Sequence, residues 1–109
     1  SDLEPDFVTA FNSGHHLYTL RASVNSTNHQ LNSRRSELER NEDRTISAGI
    51  GLVSQETTTE NRILLLAELK DLSERKGQLE TEIVALIEDR VVFEQQLAEY
   101  EDYIASARY

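Results

Sequence analysis

The stretch RILLLAELKDLSERKGQLETEIVALIEDRVVFEQQLAEYEDYI, Arg62 to Ile104, decides the fold. Leu65, Leu72, Leu79, Leu86, Phe93 and Tyr100 recur every seven residues, and Leu69, Ile83, Leu97 and Ile104 interleave with them at spacings of three and four. An average period of about 3.5 residues places all these side chains on one stripe of an α-helix, the seam of a coiled coil. Another helix is the natural cover for such a stripe. Thr57 and Glu60 match a capping box just upstream, in which hydroxyl and carboxylate satisfy free N–H groups of the first turn. The pattern therefore predicts a helix over 60–106, roughly 70 Å long at about 1.5 Å per residue, with Gly77 as its weak point.

A first helix is expected over 4–44. Pro5 suits a first helical turn, and Asp2, Glu4 and Asp6 complement the positive end of the helix dipole. Leu3, Ala10, Leu17, Val24, Leu31 and Leu38 again recur every seven, but the companion row weakens from Leu20 to Thr27, Arg34 and Asn41. Asn25 to Asn32 is polar and rich in poor helix formers, so this part of the first helix is the less secure.

Between the two lies an expected connection over 45–59. Gly49 and Gly51 give backbone freedom, and Ile46, Ile50, Leu52 and Val53 alternate with small residues. The segment reads as an apolar loop, a short β-hairpin or a patch that pairs with another subunit. The fold class that follows is mainly all-α: a single domain built as a long antiparallel helical hairpin or coiled coil with a short glycine-containing connection. Val84, Ile87 and Val91 fall off the main seam at helical spacing, which implies a second helix contact and packing into an oligomer.

Composition narrows the function. With Lys and Arg at 11 against 20 Asp and Glu, the net charge is −9, which disfavours nucleic-acid and anionic-membrane surfaces. The longest useful apolar run, Ile63 to Ala67, is far short of a membrane span of about 20 residues. There is no Cys, so disulfides and thiolate metal sites are excluded. Ser1 to Pro5 has no signal-peptide character, and a cytoplasmic protein or a component of a virion or other large assembly is expected. His15, His16 and His29 do not have metal-ligand spacing, since neighbours on a helix point to different faces.

No cofactor and no catalytic residue is expected. Gly49-Ile50-Gly51 lacks the third glycine and the βαβ setting of a dinucleotide site, and no nucleophile elbow occurs. Asn25-Ser26-Thr27 fits the glycosylation pattern by chance inside a helix. Lys76 and Arg90 interrupt the second apolar row; they read as register-setting layers or, more simply, as basic stems that reach along the seam to water. Glu94, Glu99, Glu101 and Asp102 crowd the last turns, and a hairpin would bring them near Asp2, Glu4 and Asp6 as one acidic pole.

The order helix, glycine-containing apolar segment, longer helix resembles the β-type subunits of prefoldin, a hexameric co-chaperone. Ala48-Gly49-Ile50-Gly51-Leu52-Val53, with Gln55 shortly after, is similar to that family's hairpin strand, and Phe93 to Ile104 is similar to its distal helix. The resemblance implies that Ile46, Ile50, Leu52 and Val53 build a β-barrel platform. It also implies that Phe7, Phe11, Tyr100, Tyr103 and Ile104 grip unfolded clients. The residues themselves point first to a non-enzymatic coiled-coil module that binds protein, as a homo- or hetero-oligomer, and holds a larger assembly together. Its interface residues are Leu65, Leu69, Leu72, Leu79, Ile83, Leu86, Phe93 and Leu97 for the seam, with Val84, Ile87 and Val91 for the second contact. A holdase acting on unfolded chains is the alternative.

Overall fold

A computed structural model describes the backbone over residues 3–107 and the side chains over residues 14–107. The fold is all-α: helix α1 (Leu3–Val53) and helix α2 (Thr59–Ala107) form an antiparallel hairpin, with no strand among the described residues. Contacts group into two compact units, Leu31–Ala85 around the turn and Ser1–Gln30 with Leu86–Tyr109 at the helix ends.

In the turn unit, the connection expected over 45–59 shrinks to the few residues between Val53 and Thr59, because α1 continues through Thr45 to Val53. The loop, β-hairpin and strand readings of Ile46, Ile50, Leu52 and Val53 are thereby overturned. The reason is visible in the heptads. Thr45 and Leu52 continue the row of Leu31 and Leu38, and Ala48 continues the row of Arg34 and Asn41. Ala48 is buried and Leu52 half-buried, so seam packing runs through the glycines and offsets their cost of about 1 kcal/mol each in a helix interior. Gly51 is used for close approach: a Cβ there would lie 2.8 Å from Leu65 Cδ1.

Polar groups close the turn. The Thr57 hydroxyl donates to the Gly51 carbonyl at 2.7 Å, and the Arg62 guanidinium donates to the Ser54 carbonyl at 2.9 Å, satisfying free carbonyls near the end of α1. The α2 cap is Thr58 rather than Thr57: its hydroxyl accepts from the Asn61 N–H at 3.2 Å. The expected capping box is displaced because Thr57 is engaged by α1.

Antiparallel pairing follows from the cross-helix bonds of this unit. Arg34 meets Glu82 at 2.7 Å, Arg75 meets Glu37 at 2.8 Å, and Arg44 lies 3.9 Å from Glu68. Leu31 and Leu79, one from each helix, are its largest fully buried side chains. Asn41 is buried as well, and its amide donates to the Leu72 carbonyl at 2.9 Å while Oδ1 has no partner. A polar residue at one seam position penalises helix registers that would leave it wholly unsatisfied.

In the end unit, Leu20 and Thr27 are the buried seam residues of α1 among the described residues. The polar Asn25–Asn32 stretch is helical without a break. Within it the Thr27 hydroxyl is absorbed by the helix itself, donating to the Ser23 carbonyl at 2.8 Å, as just upstream Thr19 donates to the His15 carbonyl and Ser23 to the Thr19 carbonyl, both at 3.0 Å. This back-bonding removes the desolvation cost that a buried Thr27 would otherwise carry.

Two substitutions separate apolar from polar seam energetics. Leu79→Ala should lower unfolding free energy by about 2–5 kcal/mol, since it empties a fully enclosed site. Asn41→Leu should hold or raise stability, because the orphaned Oδ1 disappears and the Leu72 carbonyl keeps its helical bond. Denaturant titration measures both, and an Asn41→Leu loss as large as that of Leu79→Ala would refute the assignment.

Candidate interaction surface

The residues expected at interfaces divide sharply by exposure. Leu79 is buried, and Leu65, Leu69, Leu72, Ile83, Leu86, Phe93 and Leu97 are half-buried on the stripe of α2 that faces α1. These side chains are occupied in holding the hairpin together. Of the second contact, Ile87 is half-buried, while Val84 and Val91 stand 56% and 54% exposed. Tyr100 and Ile104 are half-buried and Tyr103 is exposed; Phe7 and Phe11 lie outside the residues whose side chains are described.

The turn unit holds the denser apolar surface. Ile46, Ile50 and Val53 project from α1 and Ile63, Leu64 and Leu66 from α2, all more than half exposed. The last three were not among the interface residues expected from sequence. Their signal was present in the run Ile63 to Ala67, where only Leu65 belongs to the seven-residue row. The other leucines and the isoleucine must point away from the seam.

Charges are arranged along one flank of the seam. Glu37 and Arg44 each precede a first-row seam residue of α1, and Glu68, Arg75 and Glu82 each precede a second-row position of α2. Arg75 forks onto both Glu37 oxygens, from Nε at 2.8 Å and from a terminal nitrogen at 2.9 Å, and approaches Glu82 at 3.7 Å. It thus answers Glu37 across the hairpin, and Glu82 on its own helix, rather than Asp71. The hydrogen bond from Arg75 holds the Glu37 carboxyl below its ordinary value of 4.5, and the same bond raises Arg75. Lys76 reaches Glu80 at 3.9 Å, and Arg90 reaches Glu94 at 3.9 Å and the Asn28 amide oxygen at 3.4 Å. Both basic seam residues therefore turn to groups of their own chain, as side chains with long apolar stems do.

At the helix ends, the His16 ring meets Tyr100 edge-on with centroids 4.5 Å apart, and Arg21 lies 3.4 Å from Glu101. Asp2, Glu4 and Asp6, the other half of the expected acidic pole, lie outside the described side chains. Among the described residues no three His, Asp or Glu side chains gather as a metal site, and no helix is long and apolar enough to cross a membrane. No family model, curated protein or solved structure matches this chain.

Acid titration tests the Glu37–Arg75 pair. A carboxyl whose folded value is depressed stabilises the fold above its unfolded value, and that contribution is lost as pH falls through the folded value. The melting temperature of the wild type should therefore fall relative to that of Glu37→Gln between about pH 6 and about pH 3. Parallel curves for the two proteins would remove the pair from the account.

Proposed function

We propose that this protein is a non-enzymatic helical module that joins proteins in a larger assembly, such as a viral particle or a secretion apparatus. One observation carries the reading. The hairpin spends its leucine seam on itself, yet leaves Ile46, Ile50, Val53, Ile63, Leu64, Leu66, Val84 and Val91 exposed. Exposed apolar side chains clustered as they are at Ile46, Ile50, Val53, Ile63, Leu64 and Leu66 around the turn mark protein contact. The charge balance of −9 keeps such a chain soluble and selects against phosphate backbones as partners. Self-association is the direct consequence, because the same uncovered surface is present on every copy.

A prefoldin-like holdase is the second reading. Exposed Tyr103 beside half-buried Tyr100, with ring centroids 6.0 Å apart, favours it as a client-gripping element. Against it stands the helical state of Ile46 to Val53, which leaves the β-platform of that family without its strand.

Light scattering over a range of protein concentrations tests the leading reading. The expected mass is a multiple of 12.4 kDa, and a monomer at every concentration would sink it. The holdase reading requires the chain to suppress aggregation of a denatured client protein, with Tyr103→Ala losing that effect.

A further inference from the structure

The two flanks of the hairpin differ around the turn. Residues that precede first-row seam positions of α1, such as Glu37 and Arg44, lie on the flank closed by ion pairs. Residues that follow seam positions lie on the opposite flank. On α1 these are Ile46, Gly49 and Val53, which follow Thr45, Ala48 and Leu52; on α2 they are Ile63 and Leu66, which follow Arg62 and Leu65. In an antiparallel pair the two flanks of this kind fall on the same side. Exposures of 62% for Ile46, 81% for Val53, 62% for Ile63 and 57% for Leu66 make that side an uncovered apolar face. Gly49 sits in it with nothing within 4 Å of an added Cβ.

We propose that this flank is a docking face for a second copy of the chain, which seats its own Ile46, Gly49, Val53, Ile63 and Leu66 there in antiparallel orientation. The inference rests on the proposed function and names the partner and the face. Three observations select this occupant. First, the face is self-complementary, apolar on both helices, and a two-fold axis near Gly49 lays it against itself as a closed interface. Gly49 allows the two backbones to come close there, as small residues do wherever helices must approach.

Secondly, Ile46, Val53, Ile63 and Leu66 give the face four large apolar side chains, each more than half exposed, and a second copy that covers them removes that surface from water.

Thirdly, charge sets the orientation. Residues 31–85 contain eleven Asp and Glu against eight Lys and Arg, an excess of three, whereas the remaining residues contain nine against three, an excess of six. Copies that dock through the turn unit meet where like charge is weakest. In antiparallel orientation Lys70, a turn beyond Leu66, moves towards Glu56 and Glu60 of the other copy; in parallel orientation it would face its own counterpart. Among the described residues none of these three side chains takes part in an ion pair within the chain, so they are available across the interface.

The chain contains no Cys, so single cysteines report proximity between copies. Under mild oxidation Gly49→Cys should give disulfide-linked dimers readily, and Arg44→Cys on the ion-paired flank should not. Leu66→Lys should bring the mass in solution down to that of one chain while circular dichroism keeps its helical signal. Equal cross-linking at both positions, or a dimer that survives Leu66→Lys, would overturn the proposal. If the wild type is an oligomer that Leu66→Lys leaves intact and Val84→Lys dissolves, this face is wrong while the proposed function stands. A wild type that stays monomeric defeats both.

Discussion

A helix can hide only one stripe against a single partner, and in this chain that limit governs everything else. Two antiparallel helices meet along one seam, so each residue off the seam must be polar, tolerate water or find cover outside the hairpin. The seam is correspondingly thin. Among the described residues fully enclosed apolar side chains are few, with Leu31 and Leu79 the largest, and several inward positions carry Thr27, Arg34 and Asn41 instead of leucine. Each polar insertion is handled differently. Thr27 bonds its own helix, Arg34 reaches Glu82 at the seam edge, and Asn41 takes the Leu72 carbonyl. None of these contributes hydrophobic stabilisation, so the hairpin depends on a few leucines for cohesion and on the polar positions for register.

The helices and their antiparallel order were legible in the sequence because a sustained heptad is a strong, redundant signal. The seam of α2 needed nothing more than counting. The end of α1 was misread, and the reason is local. Gly49 and Gly51 within a β-branched stretch are breaker and strand signals when taken alone, whereas Thr45, Ala48 and Leu52 continue the heptad with small or polar members that carry little weight individually. Tertiary packing of Ala48 and of Leu65 on Gly51 overrode the propensity. The displaced cap follows from the same event, since a longer α1 draws the Thr57 hydroxyl to Gly51.

The surface was only partly legible. Val84, Ile87 and Val91 announced themselves by spacing, but Ile63, Leu64 and Leu66 lie in a continuous apolar run where periodicity is silent about direction. Nor does sequence alone say which acid answers which base. Arg75 has Asp71 one turn away and Glu37 on the other helix, and only the folded hairpin shows that the forked geometry to Glu37 prevails.

That asymmetry between flanks carries a consequence for association. Ion pairs along one side of the seam bring charged, hydrated groups over it, and any helix docking there would have to strip water from Glu37, Arg75 and Glu82, with the exposed Leu64 beside Arg44 and Glu68 as a small apolar return. The other side near the turn carries isoleucine, valine, leucine and glycine, where docking removes apolar surface from water at about 25 cal/mol per Å². The hairpin is therefore directional as a building block: its fold closes one flank electrostatically and leaves the other open to hydrophobic contact. The excess of acid over base outside residues 31–85 adds a second bias, since it weakens any association that brings those segments of two copies together. Hydrophobic burial sets the face and electrostatics set the alignment, two separable terms that salt concentration moves in different directions.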